Sequence, residues 1–235
     1  MFGNRTPPAS FIMLKMKKAV LLLSGGLDST TTLYWAQRRG YKVFCLIFDY
    51  GQRHHKEVLI AKKIARRAHC DCHIVRISLP WEGSSLLDKK IAIPQGRSID
   101  VKKIPTTYVP ARNIIFLSFA ASFAETIGAR VIFIGANAID YSGYPDCRPA
   151  FFKAYQKALK KGLKVGTQGK EIKIITPLIS KTKKEIVQLG LKLKVPYHLT
   201  WSCYQGGPRP CGVCDSCRLR HKGFESLQII DPALC

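Results

Sequence analysis

Acidic side chains are scarce in this chain: 15 Asp and Glu stand against 38 Lys and Arg, a formal charge of +23 over 235 residues. That balance excludes a cation-gathering acidic surface and leaves three readings open: a nucleic-acid partner, small anionic substrates such as ATP, or a compositional habit without a partner. Long apolar runs are missing too. None approaches the roughly 20 residues that a bilayer-spanning helix needs, and the opening MFGNRTPPASFIMLKMKK has no continuous apolar core followed by a small-residue cleavage site. A cytoplasmic protein with no membrane partner is expected. The nine cysteines therefore lack a secretory context, and four of them crowd between Cys203 and Cys217. In a reducing compartment that clustering favours a metal over disulfides.

What is present is one core's worth of apolar residues, 46% of the chain, enough for a single domain. Strand-length apolar runs recur at 19–23, 43–48, 73–79, 131–136 and 172–176. Between them lie TTTLYWAQRRG, EVLIAKKIARRAHC and ARNIIFLSFAASFAETIG, whose apolar residues return every three or four positions. This alternation predicts an α/β fold, an open and mainly parallel doubly wound sheet with helices on both faces. T-K-K-E at 182–185 reads as a capping box opening a short helix that stops at Gly190. The expected organisation is a flexible tail (1–15), a nucleotide-binding domain (16–200), a metal-binding segment packed on it (201–223) and a C-terminal tail (224–235). Residues 81–110, with Gly, Ser and Pro scattered through them, are expected to be a mobile segment over a site.

The run AVLLL leads into SGGLDSTT, Ser24 to Thr31, a Gly-Gly turn where the carboxyl end of a parallel strand meets a ligand crevice. Glycine lets backbone approach a phosphate closely, and the free amides at the start of the next helix point at it. Residues Leu23, Ser24, Gly25, Gly26, Leu27, Asp28, Ser29, Thr30, Thr31, Thr32 and Leu33 are the expected nucleotide cradle, with hydroxyls of Ser24, Ser29 and Thr30 as extra donors. A Walker-type lysine is absent, so the loop suits a departing pyrophosphate better than a transferred γ-phosphate. At this point the chain resembles the PP-loop ATP pyrophosphatase superfamily, whose signature SGGxDS stands here as Ser24 to Ser29. The resemblance implies ATP cleavage to AMP and pyrophosphate as an oxygen of a second substrate is adenylated. Asp49, at the end of the second strand, reads either as a contact to ribose or base or as a solvated strand end. His54 and His55 lack a third partner for a metal.

Cys203, Cys211, Cys214 and Cys217 are separated by seven, two and two residues. Close pairs on tight turns suit a structural Zn2+ with four thiolates, with an iron–sulfur cluster or a redox C-x-x-C pair as competitors. The stretch GANAIDYSGYPDCRPAFF follows a strand and is the expected second-substrate pocket. Tyr141 and Tyr144 suit stacking on a flat heterocycle, Asp146 suits the donor edge of a guanine-like ring, and Arg148 suits a carboxylate or phosphate.

With SGGLDSTT, YGQRH, YVPARN, GANAIDYSGYPDC, TWSCY and CGVCDSC in order, residues 17–223 resemble the QueC family of 7-cyano-7-deazaguanine synthases. The resemblance implies a carbon–nitrogen ligase that uses ATP with Mg2+ to convert 7-carboxy-7-deazaguanine and ammonia to a nitrile, the preQ0 precursor of queuosine or archaeosine. It also implies a homodimer. No covalent nucleophile is expected; Asp28 is expected near magnesium, Arg112 or Lys181 near phosphate, and Arg148 near the substrate carboxylate. One departure is Ala150, where the family carries an acidic residue after CRP. The rival readings are a PP-loop enzyme acting directly on tRNA, a thiolase or lysidine-type ligase, which would use the +23 charge, and a zinc-stabilised binding module without activity.

Overall fold

A computed structural model describes residues 16–96, 104–139 and 143–234. Five parallel strands, β1 (Lys17–Leu22), β2 (Tyr41–Asp49), β3 (Asp71–Arg76), β4 (Val131–Ile134) and β5 (Lys173–Ile175), form one sheet in the order β3-β2-β1-β4-β5. The helices are α1 (Leu27–Arg38), α2 (Lys56–Arg67), α3 (Arg112–Ile127), α4 (Pro149–Gly162), a single turn α5 (Lys164–Thr167), α6 (Lys183–Lys192) and α7 (Asp215–Glu225). The expected doubly wound α/β architecture is what the chain forms.

Strand periodicity explains the two faces. In β1, Ala19 and Leu21 point one way, into a cluster with Leu33 and Ala36 of α1 and Ala61 and Ile64 of α2. Val20 and Leu22 point the other way, toward Leu117, Ala120 and Ala124 of α3. A strand sunk on both faces must read as an unbroken apolar run, which is why AVLLL shows no alternation. Each fully buried Leu, Ile or Phe contributes about 1.5–3 kcal/mol, so the sheet is the stable frame from which the loops project.

Four details depart from the sequence reading. The helix opened by the Thr182–Glu185 capping box runs through Gly190 to Lys192, because Tyr197 packs against the bare face of that glycine. The aromatic stretch after β4 does not stay a loop: a 3-10 turn at Pro145–Cys147 leads into α4, which starts at Pro149, a residue suited to the first helical position. The chain beyond residue 223 is packed rather than trailing, with Phe224 fully buried and Asp231 joined to Arg220. Within the irregular 81–110 segment, Ser84 and Ser85 are fully buried and Ile93 packs beside Cys203 and Cys214. No helix among the described residues is long and apolar enough to cross a membrane.

Candidate functional site

The strand order reverses between β1 and β4, and an open sheet binds ligands where that happens. At this point a cavity of about 270 Å³ opens. Its near side is the loop after β1: Leu23, Ser24, Gly26, Leu27, Asp28 and Ser29 all line it. Two glycines let the backbones close up. Gly25 has φ of +78°, and a Cβ there would sit 2.8 Å from the Ala61 nitrogen on α2. At Gly135, just past β4, a Cβ would lie 2.9 Å from the backbone of Asp28 and Ser29. Only glycine allows that approach without a shift.

Ser24 Oγ and Ser29 Oγ lie 3.0 Å apart, and Ser29 Oγ also accepts from the Ser24 amide at 3.2 Å. The hydroxyls of Thr30, Thr31 and Thr32 instead donate back to the carbonyls of Gly26, Leu27 and Asp28, at 2.7, 2.8 and 2.9 Å. Gly25, Thr30, Thr31, Thr32 and Leu33 stand behind the loop rather than on the cavity wall.

The lysine missing from the loop arrives from elsewhere. Lys183, at the first position of α6, lines the cavity and reaches Asp28, its Nζ donating to Oδ1 at 3.0 Å and Oδ2 at 2.8 Å. The packing of Leu27 with Ile186 and Val187 sets α6 against α1 and so aims it. Lys181, two residues earlier, lies outside the lining, and its carbonyl accepts from the Asn137 side chain.

The far wall is aromatic, with two charges set in it. Phe48 and Phe116 stack at 3.9 Å between ring centroids, and Tyr50 meets Phe116 at 5.2 Å. Tyr144 and Tyr204 complete that side, among which Glu57 of α2 and Arg112 of α3 open onto the cavity. Burial pushes the Glu57 carboxyl up to about 7, against the pull of the Arg112 charge, and the Cys203 sulfur adds to the rise. Burial also works against the Arg112 charge, but Tyr50, Tyr144, Cys147 and Asp146 outweigh it and keep the guanidinium protonated. Ala111, immediately before Arg112, holds a left-handed φ of 55°, a strained conformation at the residue that launches the guanidinium.

Other expected residues fall in different places. Asp146 is buried and bonds the start of α3, its Oδ2 accepting from the Asn113 amide at 3.0 Å. Asp49 sits at the sheet end beside His55 (3.4 Å) and Arg76 (4.0 Å), off the cavity. Arg148 is exposed at the start of α4, as is Ala150 beside it. Tyr144 lines the cavity, its hydroxyl 2.7 Å from Thr107 Oγ1. Tyr141 lies outside the described residues. Glu57 lies three residues past YGQRH and Lys183 inside TKKE, yet nothing local marks either as facing the site.

The sulfurs of Cys203, Cys211, Cys214 and Cys217 all lie within 4.8 Å of one another. Four thiolates about 2.3 Å from a tetrahedral zinc sit about 3.8 Å apart, so the cluster fits that ion. Its surroundings fit as well. The amides of Gln205 and Cys211 donate to Cys203 Sγ at 3.4 and 3.3 Å, and that of Cys214 to Cys211 Sγ at 3.4 Å; such donors stabilise metal-bound thiolates. Hydrogen bonds from the Cys214 and Cys217 thiols, then from these amides, hold Cys203 well below the usual thiol range. The cluster is tied to the cavity. His54 Nε2 donates to the Cys203 carbonyl at 3.1 Å, Lys56 Nζ to the Gly207 and Pro208 carbonyls at 2.8 and 2.9 Å, and the Trp201 amide to the Gly25 carbonyl at 3.0 Å. Trp201, Ser202 and Tyr204 then close one end of the cavity.

Comparison with known proteins agrees with this geometry. The family described as queuosine biosynthesis protein QueC matches residues 18–228. A 7-cyano-7-deazaguanine synthase from Acetivibrio thermocellus is 54% identical over 217 residues, covering 92% of this chain and 96% of that protein. One from Picrophilus torridus is 56% identical over 213 residues, covering 89% and 87%. Among solved structures, the NMN synthetase from Francisella tularensis superposes with a TM-score of 0.50 at 15% identity over 84% of this chain and 71% of that one, a likeness of fold alone. A match that runs from the first strand to beyond α7, together with relatives more than half identical along almost their whole length, places the chain in the QueC family of queuosine biosynthesis proteins.

Proposed function

We propose that the chain converts 7-carboxy-7-deazaguanine and ammonia to 7-cyano-7-deazaguanine with two successive ATP cleavages. The observation that carries this reading is the cavity itself, which joins an anion-holding loop to an aromatic wall large enough for a fused heterocycle. In the first half, a carboxylate oxygen attacks the α-phosphorus of ATP and pyrophosphate leaves; ammonia then displaces AMP and a proton is released, giving the amide. In the second half, the amide oxygen attacks another α-phosphorus and pyrophosphate leaves; loss of AMP and of both N–H protons then leaves the nitrile.

The residues divide the work by position. The amides at the start of α1 with Ser24 and Ser29 hold the leaving pyrophosphate, while Lys183 supplies the positive charge that the loop sequence omits. Magnesium, when bound with ATP, neutralises charge across the phosphates, and Asp28 is the loop carboxylate that would face it. Positioned electrophile and charge stabilisation suffice for this chemistry, so no residue is assigned as a nucleophile. Zinc in the cysteine cluster would have four protein ligands and no open position, and so would anchor Trp201 to Tyr204 at the cavity end rather than react.

The test follows the base and the adenine nucleotides together by mass spectrometry, using full-length protein with ATP, magnesium, ammonium and 7-carboxy-7-deazaguanine. Nitrile formed with two AMP per product is the expected outcome. An untouched base, alongside modification of a tRNA under the same conditions, would overturn it in favour of a tRNA-directed enzyme.

A further inference from the structure

The aromatic wall contains an acid that the chemistry above does not use. Among the described residues, Asp28 and Glu57 line the cavity and Asp146 lies behind the lining residue Asn113; Asp28 is committed to Lys183, and Asp146 to the amide that opens α3. Glu57 differs from both. It lines the cavity from the first turn of α2, as do the stacked rings of Phe48 and Phe116, and accepts no hydrogen bond from any described residue. Its charged neighbour is Arg112, which opens into the same space.

A carboxylate removed from bulk water is stable only when donors meet it. Two acceptor oxygens beside a guanidinium present acceptor, acceptor and donor along one wall. The pairing edge of guanine presents the complement: an amino donor, a ring N–H donor and a carbonyl acceptor, side by side. Adenine's edge places a ring acceptor where guanine has the N–H, so the same wall sets two acceptors against each other. The stacked rings then hold a flat heterocycle in the plane of that edge.

We propose that Glu57 is the specificity-determining residue for the second substrate, accepting from the ring N–H and exocyclic amino group of a guanine-type base while Arg112 donates to its carbonyl oxygen. The proposal rests on the function proposed above and narrows it: the group that reacts is carried on the opposite ring, toward the loop and Lys183. It also gives the wall a second role, keeping the adenine of ATP out of the acceptor position.

Two measurements decide it, both on the full chain with its metal. The first is direct binding of 7-deazaguanine and of 7-deazahypoxanthine, which lacks only the amino group, to wild-type protein and to Glu57→Gln. Wild type is expected to favour the amino base by at least about 100-fold, as sites built around a donor do, and the variant to bring the two within about threefold. The second is kcat/KM for the matching 7-carboxy bases, expected to show the same compression while the KM for ATP stays within about threefold of wild type. Equal binding of both bases by wild type overturns the proposal, with no variant needed. So does a variant that loses affinity for both bases equally, which marks a structural role, or one that raises only the KM for ammonium. If neither 7-carboxy base is turned over yet 7-deazaguanine is selected, the proposed reaction fails and the role of Glu57 stands. If neither base binds, both fall.

Discussion

The loop after β1 and the cysteine segment are both short contiguous strings, Ser24 to Ser29 and Cys203 to Cys217, but they are completed in opposite ways. The cysteine segment brings all four candidate ligands itself, and the rest of the fold adds only supports, the bonds of His54 and Lys56 to its carbonyls. The loop brings amides and hydroxyls but no cation; its lysine comes from 155 residues away in the chain. A metal site is a closed polyhedron that local turns can build, whereas a reacting site needs groups arriving from several directions, which only tertiary packing supplies. Damage to the first should therefore cost folding above all, and damage to the second should cost turnover far more than stability.

The largest expected effect is on the closed site. Removing the metal with a chelator, or replacing Cys214 with Ser, takes away the organising centre for Trp201 to Tyr204. Metal sites of this kind contribute on the order of 10 kcal/mol to the segments they fold, so even a fraction of that lowers the melting temperature by more than about 10 °C. ATP turnover should fall with it, because that segment closes the cavity. Calorimetry with metal analysis checks this; an unchanged melting temperature in verified metal-free protein would sink the idea of a staple.

The next effect belongs to the open site. Lys183→Ala should reduce kcat/KM for ATP by roughly 100- to 1000-fold, the cost of removing a cation or donor aimed at developing charge. Its melting temperature should fall by only a few degrees, less than on metal removal: the Lys183 and Asp28 side chains are 11% and 28% exposed, and removing the cation leaves the carboxylate unpaired but facing the open cavity. Lys181→Ala should stay within about threefold of wild type. If the two lysines behave alike, the loop is not completed from α6.

The bond between the regions lies between these extremes. His54→Ala removes the donor to the Cys203 carbonyl and empties space that Gly206 packs against. Loss of this part-buried hydrogen bond costs about 1–3 kcal/mol, which thermal melts should show as a drop of a few degrees, with a metal loaded into the cysteine cluster released faster on challenge with a chelator. Loss of turnover at wild-type stability would instead move His54 into the reacting site.

The sheet was legible in the sequence because strands buried on both faces leave apolar runs that nothing else in the chain imitates, and the cysteines because their spacing is itself the ligand geometry. The capping box was legible for the same local reason. Lys183 hid inside that box: TKKE announces a helix start, and only the packing of Leu27 on Ile186 and Val187 turns its first lysine toward the loop. Asp146 illustrates the converse. Residue type says that a carboxylate accepts hydrogen bonds, but not that the Asn113 amide already supplies one. Helices α4 and α7 are obscured in the sequence because their buried positions include Phe152 and Cys217, residue types that a substrate-stacking or metal motif uses equally well.

The smallest effect concerns sulfur that is not a ligand, and it sharpens the comparison from inside the cavity. Cys147 lines the wall, buried, with Nδ2 of the Asn113 side chain donating to its sulfur at 3.3 Å. Burial pushes its thiol up to about 12, and the charge of Asp146 adds to the rise, against Arg112 and the Asn113 bond. Alkylation proceeds through the thiolate, and at pH 8 a thiol of that kind is ionised in only about one molecule in ten thousand. Since the raised value keeps the proton on, iodoacetamide labelling should be slow at pH 8 and quicken about tenfold per unit up to pH 10. The part-exposed Cys72 provides the reference, labelling faster throughout. Peptide mass mapping over that range reads both. Rapid labelling of Cys147 at pH 7 would mean that the wall stabilises a thiolate, and the contrast between sulfur held as a ligand and sulfur used as lining would no longer hold.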